Sequence, residues 1–356
     1  MSSTEEKIRS IIREYGADPR YLEAIEKGLE DIGYRTLRQV EMHPIQPPKG
    51  LTLATVPDEQ KRNFVILDAE TEGLDYRTDK IIQLAMIRGT CCRDGILSID
   101  AHFDQRQDPG RPLDPEITRL TGFTDADLAG RAIDTNALTE FIEGVDIMIA
   151  FKSSFDRPFV EAMFPDVGFK DARWACALSG VDWKRNMNVS SSSLENICFH
   201  LGMTYNAHRA DSDILATAHA LNATPGESDR TAFREMIDNA MTGTVRLIGT
   251  VITFDEKEAA KINGYKWDGE GDQTGQRAWF KDIPYRMDAC VEEAAFLRRL
   301  KGRDVTIEAI HHDPKTMFSN RAGRKLEFHT GDFPEPDPAV ADKVAQSGRD
   351  DATPAP

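Results

Sequence analysis

Between residues 60 and 224 the chain alternates short apolar runs with stretches of helical spacing, the pattern of a mixed α/β domain. Phe64 to Leu67 is a continuous apolar run, as expected of a strand buried on both faces. Lys80 to Arg88 and Gly95 to Phe103 predict a β-meander with it, and Val145 to Phe151 a further buried strand. Helical spacing covers 134–143, 155–163, 171–178, 192–201 and 211–222.

On either side the pattern changes. Ile8, Ile11 and Ile12, then Leu22, Ile25, Leu29 and Ile32, predict two short amphipathic helices in residues 1–58, ended by Pro44-Ile45-Gln46-Pro47-Pro48-Lys49-Gly50 as a linker. The α/β domain is expected over 59–225. A small α+β accessory module is expected over 243–326, opening with a strand from Val245 to Phe254. It continues with a helix from Lys257 to Ile262, a helix from Met287 to Leu300 and a strand from Asp304 to Ile310. Pro334-Glu335-Pro336-Asp337-Pro338 and the final Thr353-Pro354-Ala355-Pro356 mark 331–356 as a disordered tail.

Composition narrows the partners. No run approaches the roughly 18 apolar residues of a membrane span, and the five cysteines form no CxxC pair. A disulfide framework and a zinc site are therefore disfavoured, and a reducing cytoplasm is the expected location. A net charge of -16 argues against an extended grip on duplex nucleic acid, which needs a basic track. A confined strand end remains compatible, because bound cations supply local positive charge.

The candidate chemistry lies at the ends of these elements. Asp68 and Glu70 follow the Phe64–Leu67 run and, two apart on a strand, face the same way. Acids number 60 of 356 residues, so the pair alone counts for little; its place at the end of a core strand raises it. Two aligned carboxylates repel unless a cation lies between them. Asp156, in the first turn of the 155–163 helix, shares a face with Phe159, Val160 and Met163, and Pro158 suits an early helical position. An acid there also suits the helix dipole, a purely structural role. Asp211 is an N-cap candidate, placing His208 in the preceding loop and Asp213 in the first turn, above the small residues Ala216, Thr217 and Ala220. A loop histidine is an ordinary surface residue or a general base.

In this order the elements resemble the DEDDh 3′–5′ exonuclease family, in particular the proofreading epsilon-type domains of bacterial DNA polymerase III. Asp68-Ala69-Glu70-Thr71-Glu72-Gly73 matches the first motif, Phe155-Asp156 the second, and His208 with Asp213 the third. The resemblance implies an RNase H-like fold. It also implies that Asp68, Glu70, Asp156 and Asp213 ligate two Mg²⁺ or Mn²⁺ ions, with His208 deprotonating the attacking water. By motif position Leu74 resembles the apolar wedge at the terminal base and Thr71 a contact to the terminal nucleotide. Leu74 as a half-buried loop residue is the competing reading. Ile117-Thr118-Arg119-Leu120-Thr121-Gly122-Phe123-Thr124 resembles a further family segment that approaches the substrate, which implies a nucleotide contact for Thr121.

Two positions depart from the pattern: Glu72 adds a negative charge beside the metals, and Phe151-Lys152-Ser153 replaces His-Asn-Ala. Lys152 reads as a solvated lysine or a phosphate contact. The resemblance implies release of nucleoside monophosphates from single-stranded 3′ ends, DNA in preference to RNA. The alternatives are an exoribonuclease and an inactive binding or assembly module. The N-terminal helices or the C-terminal module are the expected sites for a protein partner.

Overall fold

The structure is a computed structural model that describes residues 29, 33, 35–40, 44–226, 228–271, 274–321 and 323–335. Most of the expected N-terminal helices, with Ile8 to Ile25 and Ile32, and the tail from 336 onward lie outside the described residues. Two compact units exchange at Phe169/Lys170, Ala175/Cys176 and Met236/Ile237.

The first unit is built on β2 (Arg62–Thr71), β3 (Ile81–Cys92), β4 (Gly95–Arg106) and β5 (Ile147–Ala150). With β6 (Trp174–Cys176), within which the unit boundary at Ala175/Cys176 falls, the sheet runs in the order β4-β3-β2-β5-β6. β2, β3 and β4 form the antiparallel meander, whereas β5 runs parallel to β2, pairing Phe64 with Ile147 through Leu67 with Ala150. Phe64 to Leu67 and Met148 to Ala150 are fully buried, which explains why their sequence is uniformly apolar rather than alternating. Around the sheet lie α1 (Pro115–Thr121), α2 (Asp125–Leu128), α3 (Thr135–Ile142), α4 (Ser153–Met163), α5 (Trp183–Met187), α6 (Leu194–His200) and α7 (Ala210–Asn222), followed by α8 (Ala232–Thr242), within which the boundary at Met236/Ile237 falls. A two-stranded parallel pair, β1 (Arg38–Gln39) with β7 (Met203–Thr204), completes the unit. The mixed sheet with flanking helices is the RNase H-like α/β arrangement.

Several local expectations need correction. The helix expected over 171–178 is absent: Phe169–Asp171 forms a 3₁₀ turn and Trp174–Cys176 a strand. Trp174, Ala175 and Cys176 are all buried, which an edge strand under cover achieves and a one-faced helix does not. α4 starts at Ser153, so Asp156 is its fourth residue and Pro158 lies inside the helix rather than at its opening. α7 starts at Ala210 with Arg209 as N-cap, displacing Asp211 from that role.

The second unit carries an antiparallel sheet of β8 (Thr244–Ile248), β9 (Lys266–Asp268), β10 (Ala278–Pro284), β11 (Thr306–His312) and β12 (Arg324–His329), in the order β12-β11-β8-β10-β9. With α9 (Lys257–Ile262) and α10 (Met287–Lys301) it is an α+β module around Val245, Leu247, Trp279, Leu297, Ile307 and Phe328. The strand expected from Val245 to Phe254 stops at Ile248, because Gly249 and Ile252 turn the chain there. β12 and the packed Phe333 carry the fold past residue 326. All five cysteines are free and buried. Among the described residues no helix is long and apolar enough to cross a membrane.

Candidate active site

β2 outruns its parallel neighbour. β5 ends at Ala150, level with Leu67, so the last residues of β2, Asp68 to Thr71, have no strand beside them on that edge. Asp156 fills the gap: its side chain, 2 % exposed, accepts a hydrogen bond from the Ala69 N–H at 3.2 Å. The backbone of β2 thereby holds one acid between the two that it displays. A bulge between Glu70 and Thr71 then ends the regular register with β3.

Asp213 arrives from α7. No N-cap side chain satisfies the opening of that helix; instead Asp213 Oδ2 reaches back to accept the Arg209 N–H at 2.9 Å. Asp68, Glu70 and Asp213 each present an oxygen, all within 4.8 Å of one another. Burial is the main force on all four acids. It pushes Glu70, Asp156 and Asp213 up to about 7, and Asp68 well above the usual range, where Asp156, Asp213 and Glu70 add repulsion. Hard oxygen donors converging under mutual repulsion fit a divalent cation, with Asp68, Glu70 and Asp213 able to hold it and Asp156 adjoining.

His208 is exposed in the loop before α7, with φ of 64°, a left-handed conformation that histidine adopts more readily than most residues. Leu74 is 85 % exposed, so it is not the half-buried loop residue of the competing reading. The Thr71 hydroxyl donates to Gly73 O at 2.6 Å, inside its own turn. The Thr121 hydroxyl donates to Ile117 O at 2.9 Å and receives the Phe123 N–H at 3.3 Å, closing α1. Lys152 precedes α4, its ammonium 5.7 Å from the Phe155 ring centre, and its charge opposes the upward push on Asp156.

Glu72 does not burden the acidic cluster as its sequence position suggested. Its carboxylate receives the Arg111 guanidinium at 2.6 Å and the Lys80 N–H at 3.0 Å. Arg111 also reaches Asp79 at 2.9 Å, and a Cβ at Gly73 would overlap the Asp79 carboxylate. The glycine after the acidic motif thus lets the Asp79 carboxylate sit against it, and a side chain there would have to push that carboxylate aside. Arg111 lies 39 residues from Glu72, and no local pattern announces it. Tyr205 was missed as well: burial, then the negative charge of Asp213, eight positions along the chain, raises its phenol above the usual range.

Residues 65–221 match the model of the exonuclease family. The chain is 31 % identical over 164 residues to a PolC-type DNA polymerase III of Halalkalibacterium halodurans, covering 44 % of this chain and 11 % of that one. A PolC-type DNA polymerase III of Listeria innocua is 35 % identical over 112 residues, 31 % of this chain and 7 % of its own. The chain thus spans only about a tenth of the curated relatives it matches. Among solved structures, Escherichia coli exonuclease I with single-stranded DNA aligns at TM-score 0.40 and 16 % identity, over 54 % of this chain and 49 % of that one. Exonuclease X with 5′-overhanging duplex DNA aligns at 0.37 and 22 %, over 49 % and 98 %. Residues 65–221 are thus similar to the exonuclease family, including DEDD-type proofreading domains, and carry an RNase H-like α/β fold.

Proposed function

We propose that this chain is a metal-dependent 3′–5′ exonuclease that hydrolyses phosphodiester bonds at single-stranded 3′ ends, DNA in preference to RNA. The observation that carries the reading is the convergence of Asp68, Glu70 and Asp213 within 4.8 Å, with Asp156 hydrogen-bonded between the first two. Two Mg²⁺ or Mn²⁺ ions, when bound, would supply positive charge to the attacking and leaving oxygens of an in-line displacement. His208, exposed at the mouth of α7, takes the proton of the attacking water. The water oxygen bonds to phosphorus, the P–O3′ bond breaks, the freed 3′-oxygen is protonated by solvent, and a nucleoside 5′-monophosphate leaves. Leu74 stands free to wedge against the terminal base, with Thr71 and Thr121 on the substrate side.

The polymerase relatives act as part of DNA polymerases by name, which favours DNA. The net charge of -16 favours a short contact at a strand end over a long track. The chain divides in this reading into an N-terminal segment over 1–58, the nuclease over 59–225 and an accessory module from 243 through Phe333, with the N-terminal segment or the module taking a protein partner, working in the cytoplasm.

Incubating the chain with 5′- and 3′-labelled DNA and RNA oligonucleotides, with Mg²⁺, Mn²⁺ or chelator, tests the reading. Metal-dependent shortening from the 3′ end, faster on DNA and abolished by Asp68→Ala, is expected. Shortening that survives both chelator and Asp68→Ala sinks it.

A further inference from the structure

We infer that Lys152 grips a backbone phosphate of the single strand whose 3′ end lies at the acids. The inference rests on the nuclease reading and adds to it a cation from outside the acidic motifs.

β5 ends at Ala150, level with Leu67 of β2, so the chain that leaves it emerges beside Asp68. Two residues on, the Lys152 carbonyl accepts the Phe155 N–H at 2.7 Å and the Asp156 N–H at 3.3 Å. The backbone of Lys152 is thereby fixed one helical turn from Asp156. Its side chain is exposed, and the ammonium lies 5.7 Å from the Phe155 ring centre, inside the range at which a ring attracts a cation. That ring packs at 5.0 Å on Phe159, which is 2 % exposed and meets Tyr76 edge-on at 6.5 Å. A ring held from behind thus keeps the ammonium near the start of α4.

Helix stability does not explain a lysine here. As N-cap of α4 it makes no side-chain cap, and an ammonium opposes the positive end of the helix dipole. A polyanion does explain it. The clustered carboxylates repel a strand, and a chain of net charge -16 needs a cation at the rim to offset them. Other basic side chains on the segments around the acids are committed within the protein. Arg77 pairs with Asp75, Lys80 with Pro109 O, Arg111 with Glu72 and Asp79, Arg157 with Glu161 and Arg209 with Asp211. Among the described residues the Lys152 ammonium has no hydrogen bond or ion pair, so its N–H groups are free for a phosphate oxygen.

The test is binding of fluorescein-labelled oligothymidylate to the full chain in chelator, read by anisotropy across a salt series, for wild type, Lys152→Met and Lys152→Arg. Lys152→Met keeps an apolar stem against Phe155 and removes the charge. Expected is several-fold weaker binding of Lys152→Met at low salt. Its slope of log affinity against log salt should be shallower by about 0.7, the share of one phosphate on a single strand. Lys152→Arg should keep the wild-type slope. In Mg²⁺ the KM of Lys152→Met for the same strand should rise several-fold and lose salt dependence likewise, with kcat close to wild type. Wild-type salt slopes of affinity and KM in Lys152→Met, whatever its melting temperature, overturn the inference and leave the nuclease reading intact. A wild-type chain that neither binds nor shortens the strand overturns both.

Discussion

Asp156 accepts the Ala69 N–H at 3.2 Å, so one metal-site candidate is also the hydrogen-bond partner of the strand that carries two others. The two roles are separable. Asp156→Asn keeps an acceptor for the amide and removes the charge, whereas Asp156→Ala strands a buried N–H. Both variants should lose nuclease activity. Asp156→Ala should in addition be about 1–3 kcal/mol less stable than Asp156→Asn, the cost of an unsatisfied buried donor. Urea unfolding of the two variants in chelator measures the difference; equal midpoints would show that the bond does not support the strand.

The four acids make the metal-free protein sensitive to pH. Unfolded, these carboxylates titrate near 3.8 for Asp and 4.5 for Glu; folded, Glu70, Asp156 and Asp213 hold their protons up to about 7. Between these values the folded chain binds more protons than the unfolded chain, so stability falls as pH rises. Carboxylates held below their usual range, such as Asp79 and Asp108, finish titrating beneath that window. In chelator the melting temperature should therefore decline from about pH 4.5 to 7.5. Saturating Mg²⁺ should offset the decline, because a bound cation favours the ionised acids. A flat profile in chelator would show that burial does not hold these acids protonated.

What the sequence disclosed follows from range. Asp68 and Glu70 were legible because strand periodicity and a continuous apolar run both act within a few residues, and Asp213 because its helix carries Ala216, Thr217 and Ala220 beneath it. Trp174–Cys176 read as helix because nothing nearby in sequence reveals that all three residues are covered. Arg111 escaped notice for the same reason: it acts on acids brought to it by the fold. The reading of Glu72 as surplus charge failed on this point, since its neutralising partner comes from beyond β4.

Arg111 ties Glu72 to Asp79 and so closes the loop on which Leu74 stands. The Glu72 side chain is only 3 % exposed, so losing the guanidinium leaves a covered carboxylate with the Lys80 N–H. Arg111→Ala should speed amide exchange across residues 72–80 and raise KM for an oligonucleotide several-fold, with kcat less affected. Unchanged exchange in that loop would show that the clamp does not hold it.

Leu74 buries almost nothing, so its side chain has no stability to lose. Leu74→Ala should leave the unfolding free energy within about 0.5 kcal/mol of wild type while weakening the processing of single-stranded ends. Loss of stability without loss of processing would return Leu74 to a packing role.

His208 differs from the four acids in carrying no burden of burial: it is exposed and lies outside the helix. Its removal should therefore separate proton transfer from cation binding. His208→Ala should lower kcat by roughly 10²–10⁴-fold, the usual worth of a positioned general base, while Mn²⁺ binding to the acids stays near the wild-type level. The left-handed backbone at φ 64° adds a structural control. His208→Asn suits that conformation yet supplies no base, so it should match the alanine variant in rate and the wild type in melting temperature. If His208→Asn instead restores turnover, the residue serves to shape the loop before α7, and the base lies elsewhere.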